Sequence, residues 1–193
     1  MAGSTHPGEE EVLLEIFSVL NQEFPSLRLM IAPRHIERVN AVMSSIERHG
    51  FVPKKFSLFS KTPLGRQDIV VVDTIGHLRS LYGLAKVVFV GKSLKARGGQ
   101  NIIEPAALGK PIFVGPHMEN FQNILEIFLE AQAIIQVHNE KELLQEMQSL
   151  LRNPSEIHTL GERAQTVVRQ YQGATEKTFQ IIAKILSHSS ANA

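Results

Sequence analysis

Rhythm restricts the fold of this chain more than any single motif. Short, nearly continuous apolar runs at residues 27–32, 51–56, 68–72, 86–90, 111–115 and 133–137 alternate with longer stretches in which apolar residues recur at helical spacing. A strand that is apolar on both faces has to be covered on both, so this pattern predicts a parallel sheet flanked by helices. Helical spacing runs through 9–22 and 35–49, the second closed by Gly50. Residues 75–84, 104–108, 120–130 and 141–151 fit shorter helices, and 54–66 reads as an exposed loop. Beyond Pro154 the spacing stays helical to about residue 187, with Ile157, Leu160, Ala164, Val167, Val168 and Tyr171 in one stripe.

The chain is therefore expected to form a single Rossmann-like α/β domain over 1–153, with a helical C-terminal tail at 154–193 packed on or next to it. One irregularity stands at the start. Residues 3–8 read as a loop entering a helix, with no strand before them, whereas a doubly wound domain ordinarily opens with a strand. The expectation is that this strand is absent and that the sequence is part of a longer protein.

Several function classes are disfavoured. A net charge of +1 gives no field for nucleic acid, and the lack of cysteine removes disulfides and thiolate metal sites. No apolar run approaches the roughly 20 residues of a membrane span, so the segment is expected to be soluble. The eight histidines are scattered without a metal-ligand spacing, so no metal site is expected. A G-x-G-x-x-G fingerprint and a nucleophile elbow are absent, and Lys86 stands where a P-loop ending in Gly91-Lys92-Ser93 would need its first glycine.

What remains is a set of loops after successive strands, where open α/β sheets bind ligands. Gly98-Gly99-Gln100-Asn101 leads into a helix with Glu104 in its first turn. Glycines there would let a ligand approach main-chain N–H groups, the helix start would favour an anion, and Glu104 would accept bonds from sugar hydroxyls. That combination points to a nucleotide-sugar pocket. The same residues fit a tight turn and a capping box from Asn101 to Glu104 equally well. Ser4, Thr5 and His6 offer hydroxyls and N–H groups to the same anion, and Arg34, beside His35, offers a cationic fork. Asp73-Thr74-Ile75-Gly76 and His117 with Asn120 complete the ring, each also readable as a simple cap or turn.

In order along the chain, Ala2-Gly3-Ser4-Thr5-His6-Pro7-Gly8-Glu9, Ala32-Pro33-Arg34-His35-Ile36-Glu37-Arg38, Asp73-Thr74-Ile75-Gly76, Phe89-Val90-Gly91, Gly98-Gly99-Gln100-Asn101 with Glu104-Pro105, and Gly115-Pro116-His117 with Asn120-Phe121 form a pattern. It resembles the C-terminal, donor-binding domain of 3-deoxy-D-manno-octulosonic acid (Kdo) transferases, GT-B glycosyltransferases of lipopolysaccharide core assembly. The resemblance implies CMP-Kdo as donor, a lipid A precursor as acceptor, an inverting reaction without a metal or other cofactor, and a full-length enzyme on the cytoplasmic face of the inner membrane. It places Ser4, Thr5 and the loop of Gly98, Gly99, Gln100 and Asn101 around the phosphate or Kdo. It sets Arg34 against the donor's charge, the Ile75-Gly76 backbone beside the base and Glu104 on the ribose, with His6, His35, His117 and Asn120 lining the same site. The catalytic base is expected in an N-terminal acceptor domain outside this chain. Three positions depart from the family pattern: Lys92 for a second glycine, His77 for glutamate, and Gln100 for histidine. A UDP-sugar-using GT-B transferase or epimerase, or an inactive nucleotide-binding fragment, is the alternative.

Overall fold

In the computed structural model, which describes residues 1–58 and 63–171, the apolar runs become strands of one parallel sheet. The strands are β1 (Ala2–Thr5), β2 (Leu29–Pro33), β3 (Val52–Lys55), β4 (Asp68–Val71), β5 (Val88–Val90), β6 (Ile112–Val114) and β7 (Ile135–Gln136), in spatial order β3-β4-β2-β1-β5-β6-β7. The helices are α1 (Glu9–Glu23), α2 (Val39–Arg48), α3 (Leu78–Leu84), α4 (Ile103–Ala107), α5 (Gln122–Glu130), α6 (Glu140–Arg152) and α7 (Pro154–Tyr171). The α/β reading holds.

The first strand is present, against expectation. Ala2–Thr5 is the centre of the sheet, pairing β2 on one side and β5 on the other. Its residues are small because both faces are crowded. A Cβ at Gly3 would lie 2.1 Å from the Tyr82 hydroxyl oxygen and 2.7 Å from its ring. Tyr82 on α3 thus fills the space that a side chain on β1 would otherwise occupy.

Alternation along β5 and β6 sorts the core. Val88, Val90, Ile112 and Val114 pack with Tyr82, Ala106, Phe128 and Val167, while Phe89 and Phe113 face Leu13, Ile16 and Leu143. Residues of α7 enter both clusters, Ala164 and Val167 on one side and Leu160 on the other. The described part of the tail is accordingly part of the domain core; residues 172–193 lie outside the described region. Tyr171, assigned to the apolar stripe, is exposed.

Helix boundaries shift where polar residues interrupt the spacing. The stretch 35–49 splits into a 3₁₀ turn at Ile36–Arg38 and α2, and Gly50 adopts a φ of 79° just beyond the C-cap. The helix expected at 75–84 begins only at Leu78, with His77 at the N-cap position making no side-chain cap bond, and Asp73 instead accepts bonds from the Ser57 backbone at 2.8 Å and hydroxyl at 2.5 Å. Asp73 therefore tethers the loop after β3 rather than capping α3.

Candidate functional site

Strand order determines where the loops meet. From β1 the chain moves to β2, and from β5 it moves the other way to β6, so the sheet reverses direction between β1 and β5. The crevice outside the carboxyl ends of such a pair is where open α/β sheets bind ligands. Residues 6–8 and 91–102 leave the sheet at that point.

The two loops are joined by one buried carboxylate. Glu9, in the first turn of α1, is fully buried. Its Oε2 accepts the N–H groups of His6 (2.9 Å) and Lys92 (2.8 Å), and its Oε1 those of Ser93 (2.9 Å) and Leu94 (3.0 Å). Beside it, buried Glu10 accepts the Thr5 hydroxyl at 2.8 Å and two bonds from the Arg38 guanidinium at 2.7 and 3.2 Å. Charge-assisted bonds of this kind fix backbone positions more firmly than neutral ones.

Ser4 sits in this frame in a left-handed conformation, φ 54°, where the pairing of β1 with β2 slips between Gly3 and Thr5. A non-glycine residue held there costs of order 1 kcal/mol or more, and such outliers concentrate at ligand sites. Its hydroxyl has no protein partner among the described residues. Thr5 differs: it is fully buried with its hydroxyl committed to Glu10, so it supports the loop from beneath instead of facing a ligand. The His6 ring lies at the rim, its Nδ1 3.1 Å from the Ser4 carbonyl, to which it donates when that nitrogen carries the proton, and the His35 ring is edge-on at 5.8 Å between centroids.

Arg34 is held by its backbone, whose N–H donates to the Thr5 carbonyl at 3.0 Å. Its side chain is exposed and makes no ion pair among the described residues. His35, also exposed, lies 3.6 Å from Glu37.

The Gly98–Gly99 turn needs both glycines, but for a different reason from the one expected. Both have positive φ (112° and 72°), and added Cβ atoms would lie 2.7 Å from the Asn120 amide and 2.5 Å from the Met118 sulfur. Their N–H groups, however, are already used: Gly98 donates to Glu119 at 2.7 Å and Gly99 to the Lys92 carbonyl at 2.8 Å. Free main-chain donors of this loop include those of Gln100 and Asn101, which have no protein acceptor among the described residues. The expected helix-terminus contribution also shrinks, because α4 has only five residues. Asn101 Oδ1 accepts from Ile103 N–H at 2.9 Å, two residues on, while α4 has Ile102 at its N-cap without a side-chain cap bond, so the capping box expected from Asn101 to Glu104 does not form among the described residues. Glu104 is half-buried and close enough to Tyr82 that its charge, after burial, helps push that phenol up. Arg34 follows β2 and Glu104 follows β5, the two neighbours of β1 in the sheet.

Glu119 ties the loop after β6 to the glycine turn. Its carboxyl is held down at about 2 by its own backbone N–H, then by Gly98 N–H and the Arg97 guanidinium, against the opposing effect of burial. His117 Nδ1 lies 3.5 Å away, and Asn120 N–H donates to the Gly98 carbonyl at 3.1 Å. A depressed carboxyl contributes its full effect above its ordinary value of 4.5 and loses it as pH falls through about 2. The Gly98 amide resonance is accordingly expected to stay put from neutral pH down to roughly pH 4 and to move only below that. In Glu119→Gln that acid-dependent movement disappears. Ile75 and Gly76 lie exposed after β4, Gly76 with φ 89°.

An apolar cavity of about 370 Å³ lies elsewhere, lined by Met1, Leu13, Leu29, Val87 and Phe89, below these loops at the amino ends of the strands. The candidate site is a ledge of polar groups at the carboxyl ends of β1 and β5. Sequence reading missed Glu9, Glu10 and Lys92 as parts of it.

No protein-family model matches the chain. Among curated proteins it is 30% identical over 190 residues to a 3-deoxy-D-manno-octulosonic acid transferase of Haemophilus influenzae, covering 98% of this chain and 44% of that protein. It is 33% identical over 157 residues to the protein of the same name from Aquifex aeolicus, covering 81% of this chain and 43% of that one. The chain thus spans less than half the length of these relatives. Among solved structures it is similar to the C-terminal CMP-Kdo binding domain of WaaA from Acinetobacter baumannii, with a TM-score of 0.79, 28% identity and 86% of each chain covered. The resemblance carried by the motifs extends over the whole domain.

Proposed function

We propose that this chain is the donor-binding half of a Kdo transferase, binding CMP-Kdo for transfer to a lipid A precursor. The observation that carries the reading is the switch-point ledge itself: strained Ser4 lies at the end of β1, and the Gly98–Gly99 turn and Glu104 follow β5, in a chain that is similar over 86% of its length to a CMP-Kdo binding domain. In this reading Glu104 accepts the ribose hydroxyls, the Ile75-Gly76 backbone borders the base, and Ser4 with the Gln100 and Asn101 N–H groups meets the phosphate. Arg34 reaches the donor's negative charge from the end of β2, and His6, His35, His117 and Asn120 line the rim.

The reaction follows from that placement. An acceptor hydroxyl attacks the anomeric carbon, the bond from that carbon to the phosphate oxygen breaks, and CMP departs with the electron pair. The proton of the hydroxyl passes to a base supplied by a partner N-terminal acceptor domain, at the cytoplasmic face of the inner membrane. This chain's contribution is to stabilise charge gathering on the departing phosphate with positioned donors, so that no metal or other cofactor is required.

Calorimetry tests the reading. CMP is expected to bind in the presence of EDTA and UDP to bind at least tenfold more weakly. Tighter binding of UDP would replace the reading with a UDP-sugar enzyme, and binding of neither would overturn it. Glu104→Ala is expected to weaken CMP about tenfold or more, the order of a charge-assisted bond pair, with an unchanged melting temperature. Equal CMP curves for the two proteins would remove Glu104 from the ribose.

A further inference from the structure

Lys92 breaks a local rule, and only its backbone has a role in what precedes. It follows β5 in a left-handed conformation, φ 57°, which a side chain other than glycine adopts at a cost. Its backbone is fixed in that state by three bonds' worth of surroundings: its N–H goes to Glu9, its carbonyl receives Gly99 N–H, and its neighbour Ser93 donates to Glu9. The conformation sends the side chain back over the glycine turn. The point where Gly98 would carry a Cβ lies 3.4 Å from Lys92 Nζ and 2.7 Å from the Asn120 amide nitrogen.

An ammonium and an amide therefore stand over the same turn from which the unpartnered N–H groups of Gln100 and Asn101 emerge. The nearest carboxylate of the turn, Glu119, is occupied by Arg97, by Gly98 N–H and by His117, and Lys92 forms no ion pair among the described residues. Lys95 and Arg97, the other cations of this loop, are neutralised by Glu140 and Glu119. Lys92 is the cation of this loop left without a counter-charge. A half-buried ammonium among donors, with no acceptor, is arranged for an anion.

We infer that Lys92 binds the phosphate of the nucleotide donor and thereby acts as an affinity determinant of the donor site. The inference rests on the donor-site reading above. It supplies the cation that the occupied Gly98 and Gly99 amides cannot replace, and it accounts for a lysine at a position whose backbone favours glycine.

Calorimetric titration with CMP and with cytidine, on the wild type, Lys92→Met, Lys92→Arg and Lys92→Gly, tests it. Lys92→Met is expected to lose about tenfold or more in CMP affinity and to leave cytidine unchanged. Lys92→Arg is expected to keep most of the CMP affinity. Lys92→Gly separates charge from conformation, because glycine relieves the positive φ: it is expected to melt a few degrees higher while losing CMP as Lys92→Met does. Unchanged CMP affinity in Lys92→Met, beside a wild type that binds CMP, would overturn this inference alone. Equal losses for CMP and cytidine would make Lys92 structural and overturn it too. A wild type that binds no CMP would overturn the donor-site reading, and this inference with it.

Discussion

Glu9→Ala is expected to lower stability by about 3 kcal/mol or more and to abolish measurable CMP binding. The carboxylate is fully buried and receives four backbone N–H groups, three of them from residues 92–94 across the sheet. Removing it strands those donors, and each buried donor without a partner costs about 1–3 kcal/mol, less what entering water recovers. For a domain of this size each kcal/mol moves the melting temperature by roughly 2–4 °C, so a fall of about 10 °C in a thermal melt is the readout. Glu9→Gln is the sharper test. The amide keeps the volume but turns one oxygen into a donor that faces two donors, so it is expected to lose nearly as much as alanine. A Glu9→Gln protein that melts like the wild type would show that the four bonds contribute little.

The functional half of that prediction comes from geometry. Glu9 is the physical link between the carboxyl end of β1, which presents Ser4, and the loop after β5, which presents Lys92 and the glycine turn. Without it the two donor-bearing segments lose their common anchor, and a site built from both loses alignment. Arg34 and Glu104, which follow β2 and β5, are expected to keep their places.

Part of this was legible in the sequence and part was not, for definite reasons. The six strands with apolar runs are each found within a few residues of their expected bounds, the inner ones because burial on both faces leaves a continuous hydrophobic signal; the edge strands β3 and β7 are only partly buried. The central strand was not visible. Ala2-Gly3-Ser4-Thr5 carries no large apolar residue, because α3 presents Tyr82 to one face of it and the strand has no room for more. The loops holding Ser4, Gly98 and Glu104 could be read as a site because glycine, hydroxyl and carboxylate residues cluster after strands. Glu9 could not, since an acidic residue in a first helical turn already has a local explanation in the helix dipole, and its partners lie 83 to 85 residues away. The occupied amides of Gly98 and Gly99 were likewise hidden, because their acceptors come from Glu119 and from the Lys92 carbonyl.

Gly91→Ala is the second large effect, and it isolates packing from backbone preference. Gly91 does not need a positive φ, so alanine meets no conformational penalty there. Its Cβ would nevertheless lie 2.5 Å from the Ser4 carbonyl oxygen, 2.6 Å from the Thr5 Cα and 2.8 Å from Glu9 Oε2. Two of those atoms are backbone of the central strand and the third belongs to a carboxylate held by four bonds, so none can yield cheaply. Relief requires β1 and the loop after β5 to separate, at a cost of about 2–4 kcal/mol, and the separation opens the ledge at Ser4. CMP affinity is expected to fall more than tenfold in the fraction that remains folded. Gly83→Ala serves as the control: it sits in α3 with nothing within 4 Å of its added Cβ, and is expected to gain about 0.5–1 kcal/mol with CMP binding untouched. If Gly91→Ala melts and binds like the wild type while Gly83→Ala gains stability as expected, then the close approach of β1 and β5 is not what shapes the donor ledge.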